Sequence, residues 1–460
     1  MRYYNSVLDL VGRTPLVKLN RMCDASMATV LVKMEQLNPG GSVKDRMAVY
    51  IVRRAIERGL IKPGGTFVES TSGNTGLGIA MAAAVLGYRT LFTIPDKMSK
   101  EKIDMLKAFG AEVLVTRTDL PHDHPDSYVE IAKRMARELP NAYYTDQYHN
   151  MDNPQAHYLT TGPELWEDTD GKIDCLVGGI GTGGTISGAG RYLKEKAAEA
   201  GREMKIVCPD PVGSIYFDVF HHGEERREPG IYRVEGIGHD FMVGTLDMSV
   251  IDDVFEVTDR ESFLTARRLV REEGIFCGGS AGTAVFGALK VARELGPGKV
   301  VVVIIPDSGD RYITKYFNDE WMKDMGLFDI EERLGTVRVL IEAKGRHVEF
   351  AERSETIAEV ASRMGQLGFS QMPLRPNGSD PLMMVHELDL LRALASGSCK
   401  GEDRVVDAAA PLNGIVSIND PLSKVQRIFD KDEVAVLVEG GNITGIISKI
   451  DVVEFLAHRS

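Results

Sequence analysis

The sequence predicts an α/β protein with mainly parallel sheets, followed by a smaller α+β module. Short apolar runs alternate with longer helical patterns over residues 1–328. Several of these runs are apolar throughout, as strands covered on both faces must be. The pattern changes from about residue 336 onward. The predicted organisation is therefore a front domain over 1–328, a linker over 329–335 and a tail module over 336–460.

The front domain reads as repeated strand–helix units around a parallel sheet. The predicted strands are Thr29–Lys33, Thr66–Glu69, Thr90–Ile94, Glu112–Thr116, Ile173–Val177, Lys205–Cys208 and Val300–Ile305. The predicted helices are Met47–Arg58, Gly76–Gly87, Ser99–Phe109, Ser127–Glu138, Ile186–Ala200, Arg260–Glu273 and Ala284–Leu295. In such sheets ligands bind at the carboxyl ends of strands, in the loops that lead into helices. The informative residues are expected there.

Charge and cysteine content narrow the classes of partner. The 460-residue chain has a formal net charge of -13 and no basic block, which argues against nucleic acid and anionic membranes as partners. Its five cysteines show no paired or metal-binding spacing, so we expect reduced thiols, a cytoplasmic setting and no bound metal. The longest mostly apolar stretch, Gly76–Gly87, is too short to span a bilayer, and we expect no signal peptide.

A glycine-rich turn presents a lysine at the start of a predicted helix. Residues 38–46 read Asn-Pro-Gly-Gly-Ser-Val-Lys-Asp-Arg. Lys44 is then an amine presented from a loop toward a bound group. For this motif alone, a solvated first turn of a helix is the alternative.

A second loop follows a strand and is rich in small polar residues. It reads Glu-Ser-Thr-Ser-Gly-Asn-Thr-Gly over residues 69–76. Its hydroxyls, its amide and the free N–H groups at the helix start form an anion-binding concavity that fits an amino-acid carboxylate. A plain helix cap is the alternative, but one residue would be enough for that. The run therefore favours binding by Thr71, Ser72, Asn74 and Thr75.

A third loop is dominated by glycine. It reads Gly-Gly-Ile-Gly-Thr-Gly-Gly-Thr over residues 178–185 and again lies between a strand and a helix. Backbone N–H groups in such a loop can approach a phosphate, and the helix dipole favours the anion. The spacing is neither that of a dinucleotide-binding loop nor that of a P-loop. A site for a single phosphate is therefore predicted at Gly181, Thr182, Gly183, Gly184 and Thr185.

Three further features complete the candidate site. Ser308 follows the apolar run Val300–Ile305 and places a hydroxyl at the carboxyl end of a strand, although a solvated turn is an equal alternative. Gln147 and Tyr148 belong to a polar-aromatic cluster that also contains His157. Gly236 lies in a glycine-rich turn that could approach a ligand.

Taken in order, these motifs resemble the fold type II pyridoxal-phosphate enzymes of the cysteine synthase and cystathionine β-synthase group. The motifs are Gly-Gly-Ser-Val-Lys-Asp-Arg, Thr-Ser-Gly-Asn-Thr-Gly, Gly-Thr-Gly-Gly-Thr and Pro-Asp-Ser. The resemblance covers almost all of residues 1–328. The segments Asp146–Tyr148 and Glu235–Gly238 resemble the cystathionine branch more than the cysteine branch. His239 stands where that branch has a tyrosine.

The resemblance implies a β-replacement that joins L-serine and L-homocysteine to give L-cystathionine and water, through an aldimine on Lys44 and an aminoacrylate. Lys44 is also the implied base, and Ser308 is implied to face the ring nitrogen of pyridoxal phosphate. The implied substrate contacts are Thr71, Ser72, Asn74, Thr75, Gln147, Tyr148 and Gly236. The implied cofactor contacts are Lys44, Asn74, Gly181, Thr182, Gly183, Gly184, Thr185 and Ser308. No haem is expected.

Three alternatives to this function stay open. One is O-acetylserine sulfhydrylase (cysteine synthase), with sulfide as the acceptor. Another is a serine/threonine dehydratase, which releases its keto acid without any thiol. The third is a non-catalytic adenosyl sensor.

The tail contains an internal repeat. Thr356–Val360 corresponds to Pro421–Val425, and Asp389–Ala395 corresponds to Asp451–Ala457. The first copy is placed at 336–400 and the second at 405–460, and each is too small to hold a core alone.

The tail resembles the paired CBS domains, or Bateman module, that often bind adenosyl ligands. Ser448 and Asp451 match the ribose-binding pattern of that family, while the first copy retains Asp389 but has His386 in place of the hydroxyl. The implied ligand is S-adenosylmethionine or an adenine nucleotide, and a packing or dimerisation domain is the alternative. The front-domain family implies a homodimer or homotetramer.

Overall fold

The computed structural model describes residues 1, 3–71, 73–96, 98, 100–117, 124–328, 335–378, 381–429 and 433–457. The chain divides into two compact units, Met1–Asp324 and Met325–Ser460. Except for Gly335, the predicted linker over 329–335 lies outside the described residues.

The front unit contains ten strands among its described residues, in two sheets. The strands are β1 (Leu16–Lys18), β2 (Thr29–Met34), β3 (Thr66–Ser70), β4 (Arg89–Pro95), β5 (Glu112–Thr116), β6 (Ala142–Tyr144), β7 (Cys175–Val177), β8 (Lys205–Pro211), β9 (Asp253–Val257) and β10 (Val300–Ile305). One sheet has the order β1-β2-β10-β7-β8-β9 and the other has the order β5-β4-β3-β6. Strand β1 pairs antiparallel with β2. The remaining pairings in the two sheets are parallel.

Helices follow most of these strands. They are α1 (Lys44–Glu57), α2 (Asn74–Leu86), α3 (Lys100–Ala108), α4 (Tyr128–Glu138), α5 (Asp152–Leu159), α6 (Thr161–Asp168), α7 (Gly184–Glu199), α8 (Tyr216–His222), α9 (Asp259–Arg268), α10 (Gly279–Leu295) and α11 (Asp319–Asp324). None of the described helices is long and apolar enough to cross a membrane.

The smaller sheet is an insertion in the larger one. The chain leaves the six-stranded sheet after β2, builds the four-stranded sheet from β3 to β6, and returns to the six-stranded sheet at β7. Each sheet has its own apolar core. One core includes Leu176, Ile186 and Ile206 around the larger sheet, and the other includes Phe67, Ile79 and Phe92 around the smaller sheet. Three of the candidate loops follow β2, β7 and β10 of the larger sheet, and the carboxylate loop follows β3 of the smaller one.

The predicted strands of the front domain are all present, with ends that differ by up to three residues. Most of the predicted helices begin earlier than predicted, and in α7 and α10 the added first turn contains glycine. Helix α10 begins at Gly279 rather than Ala284, and α7 begins at Gly184. The helix predicted over 260–273 is observed as α9, which ends at Arg268, and a π-helical turn, Leu269–Glu273.

In the part that the structure describes, the rear unit has two small sheets, each with its own apolar core. Its helices are α12 (Val337–Lys344), α13 (Ile357–Leu367), α14 (Glu387–Ser396), α15 (Leu422–Phe429) and α16 (Lys449–Ala457). Its strands are β11 (Gln371–Pro373), β12 (Met383–His386), β13 (Ala410–Pro411), β14 (Ile415–Val416), β15 (Ala435–Glu439) and β16 (Asn442–Ile447). The sheets have the orders β11-β12-β13 and β14-β15-β16.

The two repeat copies share apolar contacts. Met384 of the first copy lies in one buried cluster with Val436 and Ile443 of the second. Helix α12 packs into the core of the second copy, where Val337 and Leu340 are fully buried.

Candidate active site

Lys44 is the first residue of helix α1 and stands at the end of a turn that is fixed on both sides. The backbone N–H of Gly40 donates to the carboxylate of Asp45 at 2.5 Å. The N–H of Val43 donates to the carbonyl oxygen of Pro306 at 2.8 Å, so the turn pairs with the loop after β10. Burial lowers the pKa of the Lys44 amine, and the nearby Asp307 carboxylate opposes that shift. A lowered pKa leaves more of the amine neutral and able to accept a proton.

A buried ion network anchors the same helix two residues further on. Arg46 forms ion pairs with Glu35 and Glu164, each at 2.7 Å, and its side chain is almost fully buried. Burial acts to raise the pKa of Glu35, but the charge and the hydrogen bond of Arg46 outweigh it and lower this pKa to about 2. The network joins α1 to the turn before it and to α6. It therefore holds the first turn of α1, which contains Lys44, in a fixed position.

The glycines of the loop after β7 allow neighbouring protein atoms to approach its backbone closely. A Cβ atom at Gly181 would lie 2.3 Å from the carbonyl oxygen of Gly236. A Cβ atom at Gly184 would lie 1.9 Å from Oδ1 of Asn153, and Gly183 has a φ of +81° that favours glycine. Side chains are therefore excluded at these three glycine positions. Helix α7 begins at its end, so free N–H groups face the same space.

Lys44 and this loop line one cavity. Its lining includes Lys44, Gly181, Thr182, Gly183, Thr185 and Gly236. The empty volume is about 440 Å³, its open mouth included. The predicted amine and most of the predicted phosphate loop thus meet in one place.

The carboxylate loop after β3 is partly used as a helix cap. Oγ1 of Thr71 accepts from the N–H groups of Gly73, at 3.0 Å, and Gly76, at 3.2 Å. Thr75 donates to Oε1 of Gln147 at 2.6 Å, and Gln147 in turn donates to the carbonyl oxygen of Ser70 at 2.7 Å. The structure therefore brings Thr75 and Gln147 together. Ser72 lies outside the described residues.

Asn74 has protein partners on both ends of its amide. Its Nδ2 atom donates to Asp307 at 2.8 Å, and its Oδ1 atom accepts from Arg311. A ligand contact at Asn74 would have to share or replace these bonds.

Glu69 supports Gln147 and was not predicted as a site residue. Its carboxylate accepts from the N–H of Gln147 at 3.1 Å and from the hydroxyl of Thr145 at 2.5 Å. Burial raises the pKa of Glu69 to about 8. An acidic residue inside the fully buried strand β3 is the sequence signal that marks it.

Tyr148 lies in an aromatic cluster with the turn around Gly236. Its ring meets those of His239, at 5.2 Å, and Phe241, at 5.4 Å, in edge-to-face contacts. The N–H of Gly238 donates to the carbonyl oxygen of Ile180 at 2.7 Å, which ties this turn to the glycine-rich loop. Gly236 lines the cavity, whereas the three aromatic residues are not among the described residues that line it.

Glu235, the residue before Gly236, is an ionic anchor that sequence reasoning missed. Its carboxylate pairs with Lys102 of α3 and with Lys315. Although burial acts to raise the pKa of Glu235, the two lysines outweigh it and lower this pKa. The anchor holds the cavity-lining turn to helix α3 and to the segment before α11.

Ser308 stands beside the Lys44 turn but is not among the described residues that line the cavity. Its N–H donates to the carbonyl oxygen of Gly41 at 3.3 Å, and it also forms a β-bridge with Cys277.

A second hydroxyl, that of Ser280, lies close by in the first turn of α10. The N–H of Gly278 donates to the carbonyl oxygen of Asp307 at 3.0 Å, which joins the two segments. Ser280 is 3% exposed and its hydroxyl makes no hydrogen bond to any described residue. In the sequence, Gly-Gly-Ser over residues 278–280, at the start of a helix, is the feature that could have identified Ser280 as a candidate.

In the rear unit, the predicted ribose-binding residues contact each other. Oδ2 of Asp451 accepts from the N–H and the hydroxyl of Ser448, both at 2.6 Å, and also from Lys344. Burial acts to raise the pKa of Asp451, but these hydrogen bonds outweigh it and lower the pKa. Asp389 of the first copy is more exposed and faces Arg392 at 3.8 Å.

Comparison with known proteins agrees with this geometry. Residues 7–307 match the family model described as pyridoxal-phosphate dependent enzyme, and residues 414–458 match that of the CBS domain. The front unit is thus that of a pyridoxal-phosphate-dependent enzyme of fold type II.

Similar proteins of known function identify the family more closely. Cystathionine beta-synthase of Oryctolagus cuniculus is 38% identical, over 98% of this chain and 85% of the relative. The enzyme of that name from Saccharomyces cerevisiae is 34% identical, over 98% of both chains. Cysteine synthase of Staphylococcus aureus is 40% identical but covers 67% of this chain and 96% of its own. The chain belongs to the cystathionine beta-synthase family.

A solved structure supports the fold of the front unit. The crystal structure of O-ureido-L-serine synthase superposes with a TM-score of 0.63 and 36% identity, covering 70% of this chain and 100% of its own.

Proposed function

We propose that this protein joins L-serine and L-homocysteine to give L-cystathionine and water, with pyridoxal phosphate as cofactor. The observation that carries the proposal is the cavity shared by Lys44 and the glycine-rich loop. An amine and a phosphate cradle in one cavity are what this cofactor requires. The match to cystathionine beta-synthases over 98% of the chain supports the choice of reaction.

The residues present fit the cofactor. Gly181 and Gly184 leave no room for a side chain, and their loop opens helix α7, so it suits a phosphate. Lys44 stands across the same cavity as a partner for the cofactor's aldehyde. When bound, pyridoxal phosphate withdraws electrons from the α-carbon of an amino acid, which makes the α-proton and a β-substituent easier to remove.

Lys44 is proposed to move the protons. Its buried amine has a lowered pKa, so Nζ can take the proton from the α-carbon of serine. The same Nζ can return a proton to the departing β-hydroxyl, which leaves as water. The thiol of homocysteine then adds to the β-carbon and forms the new carbon–sulfur bond. Its proton can pass through Nζ to the α-carbon, which regains the hydrogen that was removed first.

The substrate carboxylate is proposed to lie at the start of α2. Thr71, Ser72 and Thr75 supply hydroxyls. Gln147, whose backbone N–H donates to Glu69, supplies its side-chain amide. Asn74 is the proposed partner of the cofactor's ring oxygen, and its bond to Asp307 fixes the direction of its amide nitrogen. Tyr148 and Gly236 are proposed to border the second substrate.

Cysteine synthase activity is the second candidate, because the relative from Staphylococcus aureus is 40% identical over the front unit. One product assay separates the two reactions. We expect cystathionine from serine plus homocysteine at a rate at least tenfold above that of cysteine from O-acetylserine plus sulfide. The reverse ranking would favour cysteine synthase. Pyruvate released without any thiol would indicate a dehydratase, and a colourless purified protein would indicate a non-catalytic sensor.

The rear unit is proposed to bind S-adenosylmethionine or an adenine nucleotide at Ser448 and Asp451, with Asp389 as the corresponding residue of the first copy. A carboxylate held by three donors is a suitable, oriented acceptor for ribose hydroxyls. The proposed division keeps the bounds 1–328, 329–335 and 336–460, with copies at 336–400 and 405–460.

The protein is further proposed to form a homodimer or homotetramer. Helices α14 and α16 expose apolar side chains, among them Leu391 at 62% and Ile450 at 60%. Such faces favour contact with another chain. Light scattering that gives the mass of one chain would contradict this.

The proposed setting is cytoplasmic, because the five cysteines are free. No haem is proposed, and an absorption spectrum of the purified protein with a haem Soret band would contradict that.

A further inference from the structure

Helix α5 lies directly against the glycine-rich loop. Asn153 and His157 are four residues apart on this helix, so they face the same side. Both are buried, with 0% and 1% exposure. A Cβ atom at Gly188 of α7 would lie 2.0 Å from the carbonyl oxygen of Pro154. The two helices are therefore packed as closely as glycine permits, and side chains of α5 reach the loop.

Asn153 donates to the first threonine of the loop. Its Nδ2 atom lies 3.0 Å from Oγ1 of Thr182 and 2.9 Å from the carbonyl oxygen of Gln147. A carbonyl oxygen only accepts, so the amide nitrogen must be on this side. Thr182 therefore accepts from Asn153, and its own hydroxyl proton is left for another acceptor. Thr182 lines the cavity.

His157 bridges two threonines. Its Nδ1 atom lies 2.8 Å from Oγ1 of Thr161, and its Nε2 atom lies 3.2 Å from Oγ1 of Thr185, which also lines the cavity. Burial lowers the pKa of His157 to about 3, so the ring is neutral, with one donating and one accepting nitrogen. A phosphate at the loop only accepts. Thr185 must then donate to it, which leaves Nε2–H donating to Thr185 and Thr161 donating to Nδ1.

We infer that Asn153 and His157 are positioning residues for the cofactor phosphate: each donates to a threonine hydroxyl, so that Thr182 and Thr185 both point their protons at the phosphate. The inference rests on the phosphate placement in the proposed function. Neither residue touches the phosphate itself.

The test compares two probes on the apoprotein, pyridoxal phosphate and pyridoxal, which lacks the phosphate. The ratio of their dissociation constants measures recognition of the phosphate alone. We expect His157→Leu to lower this ratio about tenfold, as loss of a hydrogen bond to a charged group does. His157→Gln should stay within twofold of the wild type, because its amide nitrogen can replace Nε2–H. Thr169→Val, at a buried threonine that directly follows α6, is the matched control and should change nothing.

Two further variants separate positioning from general support of the fold. His157→Leu should have no added effect on the ratio when Thr185→Val is already present, since the hydroxyl to be oriented is gone. Asn153→Asp should lower the ratio, because a carboxylate cannot donate to Thr182. Equal weakening of both probes, or additive effects in the double variant, would overturn the inference. A wild type with no preference for the phosphorylated probe would instead overturn the phosphate placement in the proposed function.

Discussion

The Nδ2 atom of Asn74 donates a hydrogen bond of 2.8 Å to Oδ2 of Asp307, a residue 233 positions further along the chain. The bond joins the loop that opens α2 to the loop after β10. The hydroxyl of Tyr312 donates to the same oxygen at 2.6 Å, while Oδ1 of Asp307 is buried and has no hydrogen-bond partner among the described residues. Asp307 also raises the pKa of Lys44 against the effect of burial. It therefore helps to set the charge of the proposed base.

Lys44→Ala should abolish turnover and the visible absorbance of the lysine-bound cofactor. The amine is both the attachment point and the proposed proton carrier, so we expect activity to fall by at least about 10³-fold. Absorption spectra and borohydride reduction followed by peptide mapping measure this. Lys100→Ala, whose side chain is 86% exposed, is the control and should keep both properties. A Schiff base that persists in Lys44→Ala would mean that another lysine binds the cofactor.

Thr75→Val should weaken the binding of serine without loosening the cofactor. The change removes a hydroxyl whose single proton is donated to Gln147 in the structure and is proposed to turn to the carboxylate when serine binds. We expect KM for serine to rise about tenfold, since a hydrogen bond to a charged group is lost. Steady-state kinetics and a cofactor titration measure the two effects. If affinity for the cofactor falls as much as that for serine, the carboxylate assignment of this loop is wrong.

The two candidate hydroxyls for the ring nitrogen can be ranked by substitution. Ser280 is more deeply buried than Ser308 and makes no hydrogen bond to any described residue, so we expect it to be the partner. Ser280→Ala should lower turnover by about tenfold or more and shift the absorption maximum of the bound cofactor. Ser308→Ala should stay within about twofold. The opposite ranking would support the assignment of Ser308 made from the sequence.

Asp45→Asn should remove a pH dependence of stability. Burial raises the pKa of Asp45 from 3.8 to about 7, since Oδ1 is buried without a partner. An acid whose pKa is raised by folding stabilises the fold at low pH. That contribution is lost as pH rises through about 7. At pH 8.5 the variant should therefore be more stable than the wild type by up to about 4 kcal/mol, with little difference near pH 4.

Urea unfolding at the two pH values measures this effect. Asp104→Asn, at an exposed position of α3, should not reproduce the pH dependence. Parallel stability curves for the wild type and Asp45→Asn would show that Asp45 is charged in the fold.

Asp451→Ala should remove ligand binding by the rear unit. The carboxylate is held by Ser448 and Lys344, so its loss deprives a ribose of its acceptor. Calorimetry with S-adenosylmethionine and with an adenine nucleotide should show binding to the wild type that falls at least about tenfold in the variant. The Asp389→Ala variant should bind these ligands as the wild type does, because the site at Ser448 and Asp451 is unchanged. A wild type that gives no heat with either ligand would rule out this regulatory site.

The strands of the front unit could be predicted because they are covered on both faces, which makes them apolar throughout. Helices α5 and α6 were not predicted, because these short segments are rich in polar residues. Asn153 and His157 of α5 are such residues, and their partners are far away in the sequence. Periodicity shows which residues are buried, but it does not show which distant hydroxyl a buried amide or imidazole will meet.

The loops of the site could be predicted from their glycines and hydroxyls, but not their supports. Glu69, Glu235 and Arg46 act through pairings across the fold, and a charged residue in a sequence gives no sign of its partner. Ser308 was predicted because it follows a strand. Ser280 was not identified as a candidate, because the sequence does not show how deeply either residue is buried. The family model, the relatives and the shared cavity confirm the predicted enzyme class.

The insertion of the smaller sheet between β2 and β7 gives two covalent tethers between the halves of the front unit. The segment before β1 is a third crossing, because its Leu8 packs in the core of the smaller sheet. The first tether carries Lys44 and the second carries α5, so a rotation of the smaller half would move both segments. Closure around a substrate would thus displace the reactive amine and the support of the phosphate loop in one concerted movement.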